Sequence, residues 1–538
     1  MIINARDFGV LPNKDVTKEL ETLIASLKGE EEKNLVFEAG DYFIDSRKLK
    51  SRMLYITNTV GDKEFSKDET PHKSRCPLCF EGVKNTVVDF CGARFIVDGK
   101  ATNICLINCE NVTLSNGEIT VVKPDLHKMT VVSKTAFSVD FAIEGSDYYI
   151  RNRSLYFKGT DYDYDAVKKY RVAWHPAHIK SGDEGTVART NRMLAGAVMA
   201  KEIKKGVVRI YYLNTSFFGV GDIFYLFDNR RQFVGIFIDN SKNIVLKNMA
   251  QRFNYSLAIV AQCSENLTVT GCDFSPEKGR HIASLADFVQ ICMCGGDVLI
   301  ENNNFEGACD DCLNAHGIHF KIKKIQGNKL TVAYMHPQTH GFNPLFKGDK
   351  IIYTKPSSLT EQGSAEVVSS RLVDEYHIEL EVTDTSGAET GFVIEDLTRI
   401  PNVTFRNNRV ARIITRAILL TIRGRAIVEG NHFMSNSMSG ILLSDDAKSW
   451  YESGACHEVL IKDNQFDYCG GVPILIYPEN RVNEGYIHKN ITITGNTFGR
   501  YSGEVMKIKC SENIRIEDNV FSQSSEIKTI NCRNVSVK

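Results

Sequence analysis

The chain has 538 residues, 65 Lys+Arg against 66 Asp+Glu, and a formal net charge of −1. With 43% hydrophobic and 24% charged residues it has the balance of a globular protein, large enough for about three domains. Near-neutral charge lacks the basic face that a nucleic-acid binder needs, and no apolar run approaches the roughly 18–20 residues of a membrane span.

The N-terminus, Met1-Ile2-Ile3-Asn4-Ala5-Arg6-Asp7, lacks the basic-then-apolar pattern of a signal peptide. Fifteen cysteines, an odd number, argue against a disulfide-stapled scaffold. Both observations point to a cytoplasmic setting; a leader removed ahead of Met1 would instead make the protein secreted. From Asp15 to Leu27 the pattern is amphipathic and helical, with Val16, Leu20, Leu23, Ile24 and Leu27 on one face. A helix at this end suits the cap of a stacked fold. Together with Asp7-Phe8-Gly9-Val10 and Phe37-Glu38-Ala39-Gly40-Asp41-Tyr42, it resembles the N-terminal cap of carbohydrate-active β-helix enzymes.

From Asn111 onward a short pattern returns: Asn or an acidic residue, alternating apolar and polar residues, then Asn and often Phe. Examples are Asn243-Ile244-Val245-Leu246-Lys247-Asn248 and Asn490-Ile491-Thr492-Ile493-Thr494-Gly495-Asn496-Thr497-Phe498. Period-2 alternation over five or six residues is a half-buried strand. Starts at 243, 266 and 297, then 458, 490, 513 and 534, are 23, 31, 32, 23 and 21 residues apart within each run. One strong strand per repeat of that length indicates coils stacked about 4.8 Å apart, with the terminal Asn in hydrogen-bonded ladders. A propeller would need about 40 residues per blade. The expectation is an all-β, right-handed parallel β-helix.

Two breaks interrupt the periodicity. Roughly Phe137–Gln232 is rich in Tyr and Phe, as in Val207-Val208-Arg209-Ile210-Tyr211-Tyr212-Leu213; Phe320–Asp396 holds Lys329-Leu330-Thr331-Val332-Ala333 and His377-Ile378-Glu379-Leu380-Glu381-Val382. Short strands bounded by turns at this spacing predict two inserted β-barrel-like domains. The resulting division is a cap and first coils at 1–136, an insertion at 137–232 and coils at 233–319. A second insertion follows at 320–396, then C-terminal coils at 397–538. Insertions projecting from a solenoid also suit a homodimer.

The chemistry concentrates between His281 and His316. Asp287 and Asp310 are 23 residues apart, one coil, and Asp311 adds a third carboxylate. Three clustered carboxylates repel, so one keeps its proton near neutral pH and serves as a general acid while an ionised partner serves as base. An Asp-Asp pair alone is more often a solvated turn; the coil register and the flanking Cys309 and Cys312 weigh against that. Candidate substrate contacts are His281, Asn314, His316, Arg416, Arg423, Trp450 and Glu452. Of these, Trp450 offers an apolar face to sugar C–H groups and Glu452 an acceptor for hydroxyls. No cofactor or metal is expected. A four-thiolate zinc site from Cys76, Cys79, Cys309 and Cys312 is set aside because the pairs lie about 230 residues apart and the second encloses the Asp pair.

Ala286-Asp287, Asp310-Asp311 and Asn314-Ala315-His316-Gly317 at these separations resemble the core motif of glycoside hydrolase family 110, and the likeness extends to the positions of the insertions. It implies an exo-acting enzyme releasing terminal α-1,3-linked galactose from glycans, blood-group-B-type or linear, with inversion. It further implies Asp310 as acid, with Asp287 and Asp311 deprotonating the water. Inversion carries a geometric condition, acid and base about 6.5–9.5 Å apart. Polygalacturonases share the Asp order and are the alternative; their Arg-Ile-Lys pattern is matched here only by Thr421-Ile422-Arg423-Gly424, without the Lys. A Ca²⁺-dependent lyase and a non-catalytic carbohydrate-binding β-helix complete the alternatives.

Overall fold

A computed structural model describes the chain except residues 60–71, 161–162, 166–176, 184, 191–192, 194–195 and 228–229. Among the described residues, three long parallel sheets of thirteen, eleven and eleven strands stack along the solenoid, the third gaining Glu452–Ser453 as an antiparallel twelfth strand. Each full coil contributes one strand to each sheet, as in Gly295–Glu301, Asn304–Ala308 and Leu313–Ile318. The alternation seen in the sequence turns one side of every strand inward. Ile244, Leu267, Val298, Val403, Ala426 and Val459 stack in register through successive coils, all buried. Phe433, Phe466, Phe498 and Phe521 form a second column, with ring centroids 4.8, 5.0 and 5.5 Å apart.

The recurrent Asn has two separate causes. At strand starts Asn243, Asn266, Asn490 and Asn513 sit at φ between 52° and 58°, a left-handed conformation that Asn tolerates better than most residues. Inside the next turn, a buried column runs through Asn303, Asn408, Asn431, Asn464 and Asn496 and ends on the half-buried Asn519. In it, Asn464 Oδ1 accepts from Asn431 N at 3.0 Å and Nδ2 at 2.9 Å, while Asn464 Nδ2 donates to Val428 O at 2.8 Å. Removing one rung strands buried groups on both sides. Asn464→Ala is therefore expected to lower stability by about 3 kcal/mol. The exposed rung Asn513, which donates to Asn490 at 3.0 Å, is expected to cost under about 1 kcal/mol when replaced by Ala. Urea unfolding of both variants checks the difference.

The N-terminal helix spans Thr17–Ala25, shorter than its apolar pattern because Asp15 Oδ1 takes the Thr17 N–H at 3.1 Å and starts the turn there. Its Leu20, Leu23 and Ile24 close the end of the solenoid core. No helix among the described residues is long and apolar enough to cross a membrane.

Two insertions leave the solenoid. Among the described residues, the first carries a seven-stranded antiparallel sheet with strands from Leu126–Lys134 to Ile223–Phe227, a separate three-stranded sheet, and its own core around Phe141, Phe157 and Phe224. The second, from Phe320 to Asp396, closes into a six-stranded barrel around Leu330, Tyr353 and Leu380. It departs after strand Leu313–Ile318, and the solenoid resumes at Pro401–Arg406 directly beside Gly295–Glu301. Residues about 105 apart in sequence thus become neighbours on adjacent coils.

Candidate active site

The carboxylates sit in one turn of the solenoid, repeated on successive coils just ahead of the twelve-stranded sheet. Val289 pairs with Leu313, and Leu313 with Ile418. Counting back two residues on each coil, Asp287, Asp311 and Arg416 stack. Asp287 thus stands under Asp311 rather than under Asp310, as its 23-residue separation from the latter suggested, and Asp311 N donates to Asp287 Oδ1 at 2.9 Å. Asp310, one residue aside, lies under Thr415, whose hydroxyl donates to it at 3.1 Å.

One oxygen from each of the three carboxylates lies within 4.8 Å of the others. Arg416 donates to Asp311 Oδ2 at 2.6 Å and its backbone N–H to Oδ1 at 3.1 Å. Arg231 is hydrogen-bonded to Asp310, and Arg189 lies 3.8 Å from it. Three guanidinium groups thus face three carboxylates, which makes so dense a buried cluster tolerable.

The charge is unevenly shared. Burial, reinforced by the Asp310 carboxylate, pushes Asp287 well above the usual carboxylate range. Burial lifts Asp311 to about 6 against the pull of Arg416. For Asp310 burial also acts to raise, but Arg231, Arg189 and Arg416 outweigh it and hold the group below its ordinary value. In the substrate-free protein the proton rests toward Asp287 and Asp310 is ionised, a distribution different from the one the sequence suggested.

This has a consequence for stability. Asp287 binds its proton more tightly in the folded protein than in the unfolded chain, where its pKa is about 4. Its contribution is therefore fully present below about pH 4 and is lost as pH rises toward the folded value. Asp287→Asn is expected to gain in melting temperature relative to the wild type as pH goes from about 4 to 7. A constant difference across that window, by calorimetry, would contradict the assignment.

The trio lines a small open cavity of about 110 Å³. Asn314, Arg416, Trp450 and Glu452, all anticipated, also line it. Glu452 is brought in by a loop that pairs antiparallel with the end of strand Leu313–Ile318, and its Oε1 accepts from Asn314 at 3.2 Å and Asn58 at 3.4 Å. Trp450 is 45% exposed and stacks on His336 of the barrel insertion at 4.3 Å. His316 stands behind this wall, contacting Gln290 at 2.5 Å and Glu452 at 3.7 Å.

Two expected contacts belong elsewhere. His281 meets Tyr225 of the first insertion at 2.7 Å and is not part of the cavity wall. Arg423 binds Glu395 through two nitrogens at 2.9 Å and Glu361 at 2.8 Å, fastening the barrel to the solenoid. Both carry polar side chains on coil turns, where an insertion offered a partner nearer than the cavity. The four-thiolate grouping does not form either: Cys309 and Cys312 pack into separate apolar clusters.

Arg189, Arg231 and Asn58 were not anticipated. They come from the first insertion and from the segment after strand Arg52–Met53, and nothing in their local sequence marks them. Thr415 could have been found by extending the coil register one step beyond the Asp pair.

Comparison with known proteins bears on the family. Residues 329–391 match the GLAA-B beta-barrel domain II family and residues 369–491 the right handed beta helix region family. The chain is 33% identical to alpha-1,3-galactosidase A of Bacteroides thetaiotaomicron over 93% of its own length and 89% of that protein's. It is 25% identical to alpha-1,3-galactosidase B of Phocaeicola vulgatus, covering 98% and 90% of the two chains. An exopolygalacturonase structure from Thermotoga maritima aligns with all of this chain and 92% of its own at 10% identity and a TM-score of 0.42, too distant to bear on substrate. A parallel β-helix with a carboxylate trio, its barrel insertion and these relatives place the chain in the α-1,3-galactosidase family of glycoside hydrolases.

Proposed function

We propose that the protein removes terminal α-1,3-linked galactose from oligosaccharides, one residue at a time and with inversion, through Asp310, Asp287 and Asp311. The observation that carries this reading is the trio itself, three carboxylates within 4.8 Å opposed by three arginines in one cavity. The names of the relatives supply the sugar and linkage.

Asp310 is the acid in this proposal. Its side chain is 15% exposed toward the cavity, against 2% for Asp311, so it is the member within reach of a glycosidic oxygen. Protons in so tight a cluster belong to the group as a whole. When substrate replaces Arg231 at Asp310, the shared proton moves there and then to the leaving oxygen as the C–O bond breaks. A water attacks the anomeric carbon and yields its proton to the Asp287–Asp311 pair. A water bound at about 2.8 Å to each of two carboxylate oxygens spans roughly 4.5–5 Å between them, at the 4.8 Å limit within which this pair lies.

One oxygen from each carboxylate lies within 4.8 Å of the others, a closeness that also leaves room for the retaining arrangement, whose carboxyls stand about 5–5.5 Å apart against about 6.5–9.5 Å for inversion. Retention through a galactosyl-aspartate is therefore the second reading. Against it, both Asp311 oxygens are occupied by donors, which withdraws the charge a nucleophile needs.

Neutral galactose is favoured over galacturonate by the cations. Among the described residues, each arginine lining the cavity faces a trio carboxylate, and Arg423 is held by Glu395 and Glu361 outside it. Trp450 is placed to stack on the sugar's apolar face, with Glu452, Asn58 and Asn314 around its hydroxyls. Incubation with α-1,3-galactobiose, a blood-group-B-type trisaccharide and polygalacturonate tests the reading. Galactose from either of the first two supports it; turnover of polygalacturonate alone would overturn it.

A further inference from the structure

Four of the cysteines pack as the solenoid requires. Cys109, Cys272, Cys294 and Cys532 each point Sγ at a carbonyl two residues earlier and another on the preceding coil, at 3.4–3.6 Å. These are small apolar residues filling a turn.

Cys76, Cys79 and Cys105 behave differently, turning their sulfurs toward one another. Cys79, in strand Leu78–Glu81, pairs in register with Cys105 of strand Ile104–Ile107, and Cys76 lies two residues ahead of the first strand. The three Sγ atoms fall within 4.8 Å of one another, with Cys105 and Cys76 at 2.9 Å. They lie beside Leu54 and Ile56, under the segment that follows strand Arg52–Met53. Arg52 Nη1 stands 2.8 Å from Cys79 Sγ, and its Nη2 reaches Glu81 at 3.1 Å. An open cavity of about 220 Å³, lined by Cys76, Cys79, Arg52 and Glu81, gives access from outside.

We propose that Cys76, Cys79 and Cys105 bind one thiophilic divalent metal ion, with Zn²⁺ as its representative and the fourth position open to water from the adjoining cavity. Zinc–sulfur bonds of about 2.3 Å place three sulfurs roughly 3.8 Å apart, longer than the 2.9 Å between Cys76 and Cys105 and inside the 4.8 Å that bounds the cluster. Binding releases the thiol protons to solvent. Three thiolates and a divalent ion leave one negative charge, which Arg52 offsets. Zinc needs no coplanar or octahedral donor set, and thiolates select it over harder cations.

The site has a structural reach. Arg52 is six residues ahead of Asn58, which contacts Glu452 in the sugar cavity. An ion at the thiols fixes the root of the segment that delivers Asn58.

The test uses the full chain, reduced, stripped with chelator and titrated anaerobically with Co²⁺ and then Zn²⁺. One Co²⁺ per chain with thiolate-to-cobalt charge-transfer absorption, displaced by one equivalent of Zn²⁺, is the expected result. Cys79→Ser and Cys105→Ser should each weaken binding by at least about 100-fold, and Arg52→Met by about 10-fold. Cys272→Ser should leave binding unchanged, and circular dichroism confirms that each variant folds. Absence of the absorption in the reduced wild type, or its persistence in a folded Cys79→Ser/Cys105→Ser double variant, would overturn the proposal. So would a Cys76–Cys105 disulfide whose reduction yields no metal-binding site.

Discussion

Asp310→Asn should lower kcat/KM toward α-1,3-galactobiose by at least about 1,000-fold, while its loss on an aryl α-galactoside with a good leaving group should be at least about 30-fold smaller. The asymmetry follows from the proposed role. A leaving group that departs as a stable anion needs no proton, so an enzyme lacking only its acid still works on it. Asp287→Asn, which removes half of the water-holding pair, should lose a similar factor on both substrates. Steady-state kinetics of the two variants on the two substrates decides the assignment. Equal losses for Asp310→Asn on both would move the acid to another member of the trio.

The second large effect is expected at Arg416. Its guanidinium lies 2.6 Å from Asp311, whose side chain is 2% exposed, and it answers the charge of a cluster that water does not reach well. Arg416→Met leaves Asp311 with Thr415 and a backbone N–H as donors. We expect kcat to fall by about 100-fold or more, and stability by about 3 kcal/mol, because a buried charge left without its partner is costly. Adding Asp311→Asn to that variant should recover most of the stability and none of the activity. Urea unfolding beside the kinetic measurement separates the two effects. A single variant as stable as the wild type would show that Arg416 does not balance the trio's charge.

These residues also show what could be read from the sequence. The solenoid was legible because its two Asn columns and its Phe column impose a residue type at fixed places in every coil: a left-handed turn at Asn243 and Asn266, a buried ladder at Asn464 and Asn496, a ring stack at Phe466 and Phe498. Asp287, Asp310 and Asp311 were legible for the same reason, since a repeat converts sequence distance into height. The error of one residue in their stacking came from coils whose turns differ in length. Coil arithmetic also reaches Asn314 and Arg416.

It fails where the chain leaves the repeat. Arg231 and Arg189 approach Asp310 from an insertion whose docking is set by tertiary packing, and no local spacing encodes it. Asn58 arrives from a segment laid across the outside of the coils. Arg423 illustrates the converse: a lone cation on a coil turn suits a substrate carboxylate and a barrel carboxylate equally, and Glu395 stood closer.

The central claim is that this trio hydrolyses an α-1,3-galactoside by direct attack of water, and the anomer first released tests it most directly. Proton NMR of α-1,3-galactobiose with the wild-type protein, followed from the first minutes, should show β-galactose appearing before mutarotation, and none from Asp310→Asn on that time scale. First appearance of α-galactose would contradict direct displacement and favour the retaining route that so close a cluster also allows. Undiminished galactose release by Asp310→Asn would remove Asp310 from the chemistry.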